Sequence, residues 1–274
     1  MSAPLRVGLV QLTSDADLEA NVARACALIE EAADAGATLV ATPENTDLMT
    51  ASRADRLAKA RGEADHPGLP AFSDLAARRR LWLLIGSLGI RLEGEERLAN
   101  RSFLFGPDGG IAARYDKIHM FDVEIPDGQS YRESATFHPG EAAVIADLPA
   151  VRLGMTICYD LRFPHLYRKL AQAGAEVLSV PAAFTRFTGQ AHWHVLLRAR
   201  AIETGCWVIA PAQCGVHPGD RRTFGHSLVV APWGEVTADA GEAPGVVVTD
   251  LDMARLHKAR GMVPSLGHDR DFRL

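Results

Sequence analysis

The feature that most constrains this chain is an alternation of strand and helix patterns that runs once and then starts again. Residues 5–12 (LRVGLVQL) form an apolar run of strand length. Residues 18–35 follow, with Leu18, Val22, Ala25, Ile29 and Ala33 at helical spacing, and Gly36 ends them. Residues 38–42 are a second short apolar run. This opening is a βαβ unit and predicts an α/β fold. A helix over 70–80 and a strand over 81–90 come next. Runs 98–105 and 111–115 then flank Gly106-Pro107-Asp108-Gly109-Gly110 as a β-hairpin. In the second half the pattern predicts strands over 151–157, 176–180, 206–212, 225–231, 235–240 and 246–251, with Pro232-Trp233-Gly234 as a tight turn. Helices are expected over 164–173 and 191–204, the latter with Trp193, Leu196, Leu197 and Ile202 on its apolar face. Residues 121–140 are polar and punctuated by Pro and Gly, so they read as a long loop of the functional kind. The tail from Met262 reads as irregular. No linker or low-complexity tract interrupts the chain, so residues 1–274 read as one domain, its two halves pointing to two packed sheets.

Composition narrows the function classes. With 29 Lys+Arg against 34 Asp+Glu the net charge is −5, and 47% of residues are hydrophobic. That balance excludes intrinsic disorder and shows no basic nucleic-acid footprint. The apolar runs fall far short of the roughly 18 residues of a membrane-spanning helix. Residues 1–12 carry neither a basic leader nor a small-residue cleavage site, so the start reads as mature sequence. Of the four cysteines, Cys26, Cys158, Cys206 and Cys214, no two have C-x-x-C spacing, which argues against a zinc ribbon. A reducing, cytoplasmic location is expected. Cys26, Cys206 and Cys214 sit in apolar patterns and read as small buried hydrophobes.

Three ionisable residues stand at the ends of apolar runs: Glu44 after 38–42, Lys117 after 111–115 and Cys158 after 151–157. In α/β sheets, ligands bind beyond the carboxyl ends of strands, so the three can converge. Chemically they complement one another. A thiol near its ordinary pKa is only a few per cent thiolate at pH 7 and needs a base. Glu44 can take its proton and return it to a leaving amine, and Lys117 can stabilise an oxyanion. The turn after Cys158 leads into a helix, so backbone N–H groups there are further oxyanion donors.

These residues lie in segments that resemble a known family. Pro43-Glu44-Asn45, Tyr115-Asp116-Lys117-Ile118-His119 and Gly154-Met155-Thr156-Ile157-Cys158-Tyr159-Asp160 are similar to the three signature blocks of the nitrilase superfamily of carbon–nitrogen hydrolases, in the same order. The resemblance spans nearly the whole chain. It implies a four-layer α-β-β-α sandwich, a homodimer or higher homo-oligomer, no cofactor and no metal. Glu44 would be the base, Lys117 the transition-state stabiliser and Cys158 the nucleophile. Arg132-Glu133-Ser134-Ala135-Thr136 is similar to the block carrying a second glutamate, which assigns Glu133 to positioning Lys117 and substrate. Glu124 is a weaker candidate near the mouth.

Within the superfamily the chain resembles the Nit branch, through KIHMFDVEIP (117–126), CYDLRFP (158–164), TGQAHW (188–193) and RARAIET (198–204). The branch implies an amidase acting on a small 2-oxo acid amide through a thioester. AQCG (212–215) followed by GHS (225–227) is closer to members acting on deaminated glutathione than to those acting on 2-oxoglutaramate. An anionic substrate needs a cation, and Arg162 occupies the branch's position for it. Phe184 occupies a pocket-lining position. His165 and His194 stand where the branch commonly has Glu.

Three rival readings were weighed. A nitrilase, or a hydrolase of N-carbamoyl compounds, would use the same triad. A metallohydrolase would need His192, His194, His226, His268 and Asp269 as ligands, yet His192 and His194 are two apart on a helix and do not share a face. A non-catalytic scaffold is disfavoured by the intact Glu-Lys-Cys set. The expected partner is therefore a small molecule, with neither nucleic acid nor membrane.

Overall fold

The computed structural model describes residues 5–124 and 130–273. The opening unit forms as expected, with a strand Leu5–Gln11, a helix Leu18–Asp34 and a strand Leu39–Ala41. The helix begins where the Asp17 carboxylate accepts the N–H of Ala20 at 3.0 Å. Six strands follow one another across the first sheet: Gly245–Leu251, Leu5–Gln11, Leu39–Ala41, Trp82–Arg91, Leu98–Phe105 and Ile111–Asp116. The second sheet runs Val144–Asp147, Arg152–Met155, Val177–Ser179, Trp207–Ala210, Leu228–Val230 and Val236–Asp239. Each has a parallel centre and antiparallel flanks.

Alternation along the strands sets the layers. Leu5, Val7 and Leu9 join a core shared with Leu153, Met155 and Val177 of the other sheet. Val10, on the opposite side of the same strand, packs instead with Ile29 and Phe72 of the helices Leu18–Asp34 and Gly68–Arg79. Leu84 splits from Leu83 and Ile85 in the same way. Helices Pro164–Gln172 and Arg186–Thr204 cover the other sheet through Leu166, Leu170, Trp193 and Leu197. The order is helix, sheet, sheet, helix, as the resemblance implied. Gly245–Leu251 leaves the second half of the sequence to pair along the whole of Leu5–Gln11, so the two halves interlock.

Several segments differ from expectation. The described residues of 121–140 are not an irregular loop, and 125–129 lie outside the described residues. Asp122–Glu124 pairs antiparallel with Ser130–Arg132, Glu133–Ala135 forms a 3-10 turn, and Phe137–His138 pairs with Leu98 and Ala99. Strands of two or three residues are too short to show an alternation. The helix expected at 191–204 starts at Arg186, with the Thr185 hydroxyl accepting the N–H of Thr188. Gly189 lies within that helix against Phe224, where a Cβ would stand 2.4 Å from the ring. On this helix Ile202 faces outward at 54% exposure, and Arg200 is buried instead, donating to the Leu161 carbonyl. Cys26 is only half buried, whereas Cys206 and Cys214 are buried. Helices Arg53–Lys59 and Met253–Met262 and the hairpin Cys214–His217/Arg221–Phe224 are additional elements.

That hairpin is pinned by His217, whose Nδ1–H donates to Ser14 O at 2.8 Å while Nε2 meets the Thr223 hydroxyl at 2.7 Å. Burial, against a raising hydrogen bond to Ser14, pushes the His217 imidazole down from 6.5 to about 4. The unfolded chain therefore binds more protons between those values, and stability is lost as pH falls through that window. His217 alone should make the protein about 2 kcal/mol less stable at pH 5 than at pH 7. Urea denaturation at both pH values should show this fall shrinking by that amount in His217→Gln. An unchanged difference would refute the assignment.

Candidate active site

The carboxyl ends of strands from both sheets meet at one place. Glu44 lies three residues beyond Leu39–Ala41, Lys117 directly follows Ile111–Asp116, and Cys158 lies three residues beyond Arg152–Met155 of the opposite sheet. Gly86 lets the two strand ends approach. A Cβ on it would stand 2.1 Å from the Thr42 carbonyl and 2.5 Å from the Pro181 ring.

Lys117 is 2% exposed and its ammonium has three charged contacts. Nζ donates to Glu44 Oε1 at 2.8 Å, to Glu133 Oε2 at 2.8 Å and to Glu133 Oε1 at 2.9 Å. Asn100 Nδ2 bridges the same carboxylates, at 3.0 Å from Glu44 and 3.1 Å from Glu133. The remaining oxygens are also fixed, Glu44 Oε2 by the Ala183 N–H at 2.9 Å and Glu133 Oε2 by the Phe121 N–H at 2.7 Å. Gln213 holds the backbone beneath, donating to the carbonyls of Glu44 and Asn45. A buried ion pair needs this completeness, because each unpaired buried charge costs several kcal/mol.

The protonation states follow. Burial alone would raise the Glu44 carboxyl, but the charge and hydrogen bond of Lys117 outweigh it and hold Glu44 below the usual carboxylate range. Burial would likewise lower Lys117, yet Glu133 and Glu44 hold it above its ordinary value. Cys158 goes the other way. Burial, and then the Glu44 charge, push its thiol well above its ordinary value, with Lys117 pulling only partly against them. The resting state is a neutral thiol hydrogen-bonded to an ionised Glu44. That arrangement is suited to moving the thiol proton to Glu44 as a new bond to sulfur forms.

Cys158 sits in the left-handed region, at φ 50°, at the start of the 3-10 turn Cys158–Arg162. For a residue with a Cβ this costs about 1 kcal/mol or more. Its N–H donates to Pro181 O at 2.9 Å. Asp160, fully buried, closes the turn. Its carboxylate accepts the Ile157 N–H at 2.8 Å, the Tyr115 hydroxyl at 2.6 Å, the His119 N–H at 3.1 Å and His119 Nδ1–H at 2.7 Å. Residues on both sides of Lys117 are thus tied to residues on both sides of Cys158.

A cavity of about 520 Å³ opens here. Glu44, Lys117, Cys158, Glu133, Tyr159 and Phe184 all line it, so six of the seven expected site residues come together. Arg162 is the exception and is not among the lining residues. It ends the turn after Cys158 with its guanidinium 3.3 Å from His192 Nδ1, and over the rings of Phe184 (5.2 Å) and Tyr159 (6.0 Å). Glu124 pairs with Arg132 at 2.8 Å on the exposed side of the short hairpin, and Ile125 and Pro126 lie outside the described residues. Sequence reasoning missed Asn100, Asp160 and Arg221. A lone Asn inside the apolar run 98–105 was a usable signal. Arg221 sits on an unexpected hairpin and had none.

Of the histidines considered as metal ligands, His194 and His226 do meet. With Asp239 they bring ligand atoms within 4.8 Å of one another. Asp239 already accepts from both rings, at 3.2 and 2.9 Å, and none of the three lines the cavity. His192 faces Arg162, and Asp269 pairs with Arg168.

Comparisons with known proteins agree with this geometry. Residues 6–261 match the model of the family described as "Carbon-nitrogen hydrolase". The chain is 43% identical over 266 residues to the deaminated glutathione amidase of Yersinia enterocolitica, covering 96% of this chain and 92% of that one. Among solved structures, the C. elegans NitFhit protein superposes with a TM-score of 0.92 at 36% identity, over 98% of this chain and 66% of that chain. Saccharomyces cerevisiae Nit3, a member of branch 10 of the nitrilase superfamily, gives 0.85 at 30% identity over 96% of each chain. The chain belongs to the carbon–nitrogen hydrolase family, and it is a hydrolase of carbon–nitrogen bonds.

The Asp160 clasp gives a stability prediction. Asp160→Ala leaves two N–H groups and a hydroxyl buried without acceptors and should cost about 3 kcal/mol or more. Chemical denaturation measures this, and a loss below 1 kcal/mol would show that the clasp is dispensable.

Proposed function

We propose that this protein is a cysteine-dependent amidase cleaving the amide bond of a small 2-oxo acid amide such as deaminated glutathione, through a thioester. One observation carries the reaction type: a buried, fully paired Glu44–Lys117–Glu133 assembly beside a neutral Cys158 thiol at the floor of a cavity. The substrate is supported by the relatives named deaminated glutathione amidase, to which the chain is 40–43% identical over nearly its full length.

In the first step Cys158 Sγ attacks the amide carbon as its proton passes to Glu44. The oxyanion is held by the Lys117 ammonium and the Tyr159 N–H, which starts a helical turn and has no acceptor within it. Glu44 then gives the proton to the leaving nitrogen, the C–N bond breaks, and a thioester remains. For deaminated glutathione the leaving group is the amine of the Cys-Gly dipeptide. In the second step water attacks the thioester carbon as Glu44 takes its proton. The C–S bond breaks, and the Cys158 thiolate recovers the proton from Glu44. Glu133 keeps Lys117 in place throughout, and Tyr159 and Phe184 shape the wall against the acyl chain. Arg162 stands over both rings and beside His192, at the edge of that wall.

The same reading takes residues 1–274 as one domain, because the site draws on both halves. It places the protein in the cytoplasm, supported by four free thiols. No helix of the described residues is long and apolar enough to cross a membrane. It also makes the protein a homodimer, supported by Val195, Ile202 and Trp233, each more than half exposed on and beside the helix Arg186–Thr204.

Hydrolysis of deaminated glutathione, followed as release of 2-oxoglutarate, tests the function. Turnover should exceed that on 2-oxoglutaramate. Cys158→Ala should lose at least about a thousandfold in kcat. One thiol of the native enzyme should react rapidly with iodoacetamide and be missing in the variant. Full activity in Cys158→Ala would sink the mechanism, and strong preference for 2-oxoglutaramate would sink the substrate reading.

A further inference from the structure

We propose that Arg221 is the carboxylate-binding residue of the cavity, the group that fixes an anionic substrate relative to Cys158. The proposal rests on the amidase reading above for its substrate and on the following geometry for its site.

Arg221 starts the strand Arg221–Phe224, and its side chain lines the same cavity as Cys158. One of its Nη2–H groups donates to the Ala183 carbonyl at 3.2 Å, and the Ala183 N–H in turn donates to Glu44 Oε2. A single residue therefore separates the guanidinium from the base. Its positive charge reaches the Glu44 carboxyl.

This charge is uncompensated. Among the described residues no carboxylate lies within 4.0 Å of Arg221. Its Nε–H is buried and has no hydrogen-bond partner. Tyr131 offers its ring face 5.4 Å from the guanidinium, which orients the plane without satisfying its donors. A buried N–H donor without an acceptor is a standing cost, and such groups in a cavity wall are expected to meet an acceptor on a ligand. A guanidinium with a free Nε–H and further Nη protons presents the two-point edge that suits a carboxylate.

Of the other cavity cations, two are in ion pairs and two donate to neutral oxygens. Lys117 is shared by Glu44 and Glu133. Arg56 also has a buried Nε without a partner, but it lies deeper, only 6% exposed, and both its Nη groups are taken, by the Leu48 carbonyl and Asn45 Oδ1. Arg53 donates to Ala135 O at 2.8 Å on the exposed side, and Arg132 pairs with Glu124. Arg162, the residue the sequence pattern put forward, does not line the cavity. The support of Arg221 is rigid as well. His217 is its cross-strand partner and is anchored to Ser14 and Thr223, while Gln213, before the first strand of the hairpin, holds the backbone of Glu44. The cation is thus preorganised relative to the base.

Deaminated glutathione carries a carboxylate at each end, one on the 2-oxo acid and one on the terminal glycine. The test compares native protein, Arg221→Gln and Arg221→Lys on three substrates: deaminated glutathione, its C-terminal amide and 2-oxoglutaramate. Binding of the product 2-oxoglutarate is measured by calorimetry alongside. Loss of a paired charge should raise KM about a hundredfold in Arg221→Gln with kcat less affected, and Arg221→Lys should recover part of it. A penalty on all three substrates, with weakened 2-oxoglutarate binding, assigns Arg221 to the 2-oxo acid end. A penalty seen with deaminated glutathione but not with its C-terminal amide or 2-oxoglutaramate assigns it to the glycine end. Unchanged KM and unchanged 2-oxoglutarate binding in folded Arg221→Gln overturn the proposal, as does a loss confined to kcat. If the native protein binds 2-oxoglutarate through Arg221 but leaves all three amides intact, the carboxylate site stands and the amidase reading fails.

Discussion

The structure depends on an ammonium group buried between two carboxylates. Lys117 would be prohibitively costly in the interior if unpaired, because a lone buried charge is opposed by several kcal/mol of lost hydration. Glu44, Glu133 and Asn100 meet that cost only by arriving together at 2.8 to 3.1 Å. With Lys117 they come from four separate places in the chain. The close approach at Gly86, the short hairpin before Glu133 and the position of Asn100 in its strand all serve this one convergence. Removing either acid would leave Lys117 with half its compensation.

The same cluster sets the state of the thiol. Lys117 stabilises the ionised Glu44, and the ionised Glu44 in turn disfavours a thiolate at Cys158. The pair rests with its proton on sulfur and its charge on oxygen. Nucleophile and base are thereby poised to exchange a proton only when a carbonyl carbon is present to receive the sulfur electrons. The left-handed backbone at Cys158 is held against its strain by the Pro181 carbonyl and by Asp160, which joins the nucleophile turn to the Lys117 strand end.

The wall of the site is built differently from its floor. The floor is closed by ion pairs within the protein, whereas Arg221 keeps an unanswered N–H. For a protein of net charge −5, attraction of an anionic substrate cannot come from the overall field, so a local cation has to supply it. Arg162 was the choice that the family resemblance implied. Rings of Tyr159 and Phe184 stand under its guanidinium, and the cavity surface is made by those rings instead.

Much of this was legible in the sequence because it is governed by local periodicity. Apolar spacing in 5–12, 18–35 and 38–42 depends only on which faces of a strand or helix are wet, so the βαβ units could be read directly and their repetition pointed to two packed sheets. Glu44, Lys117 and Cys158 were legible for a related reason, since strand ends are marked by the residues that end the apolar runs. Short-range pattern does not carry information about approach between distant segments. That is why the helix Arg186–Thr204 read as starting at 191, why Ile202 read as buried where Arg200 is, and why residues 121–140 read as a long loop. Asn100, Asp160 and Arg221 act through partners 33 to 56, 41 to 45 and 38 residues away. The sequence by itself determined the strand and helix units and, with the family resemblance, the layers and the reacting groups. The tertiary structure alone decided which carboxylates compensate Lys117 and which arginine remains for a ligand, because electrostatic pairing depends on distance in space and burial rather than on order along the chain.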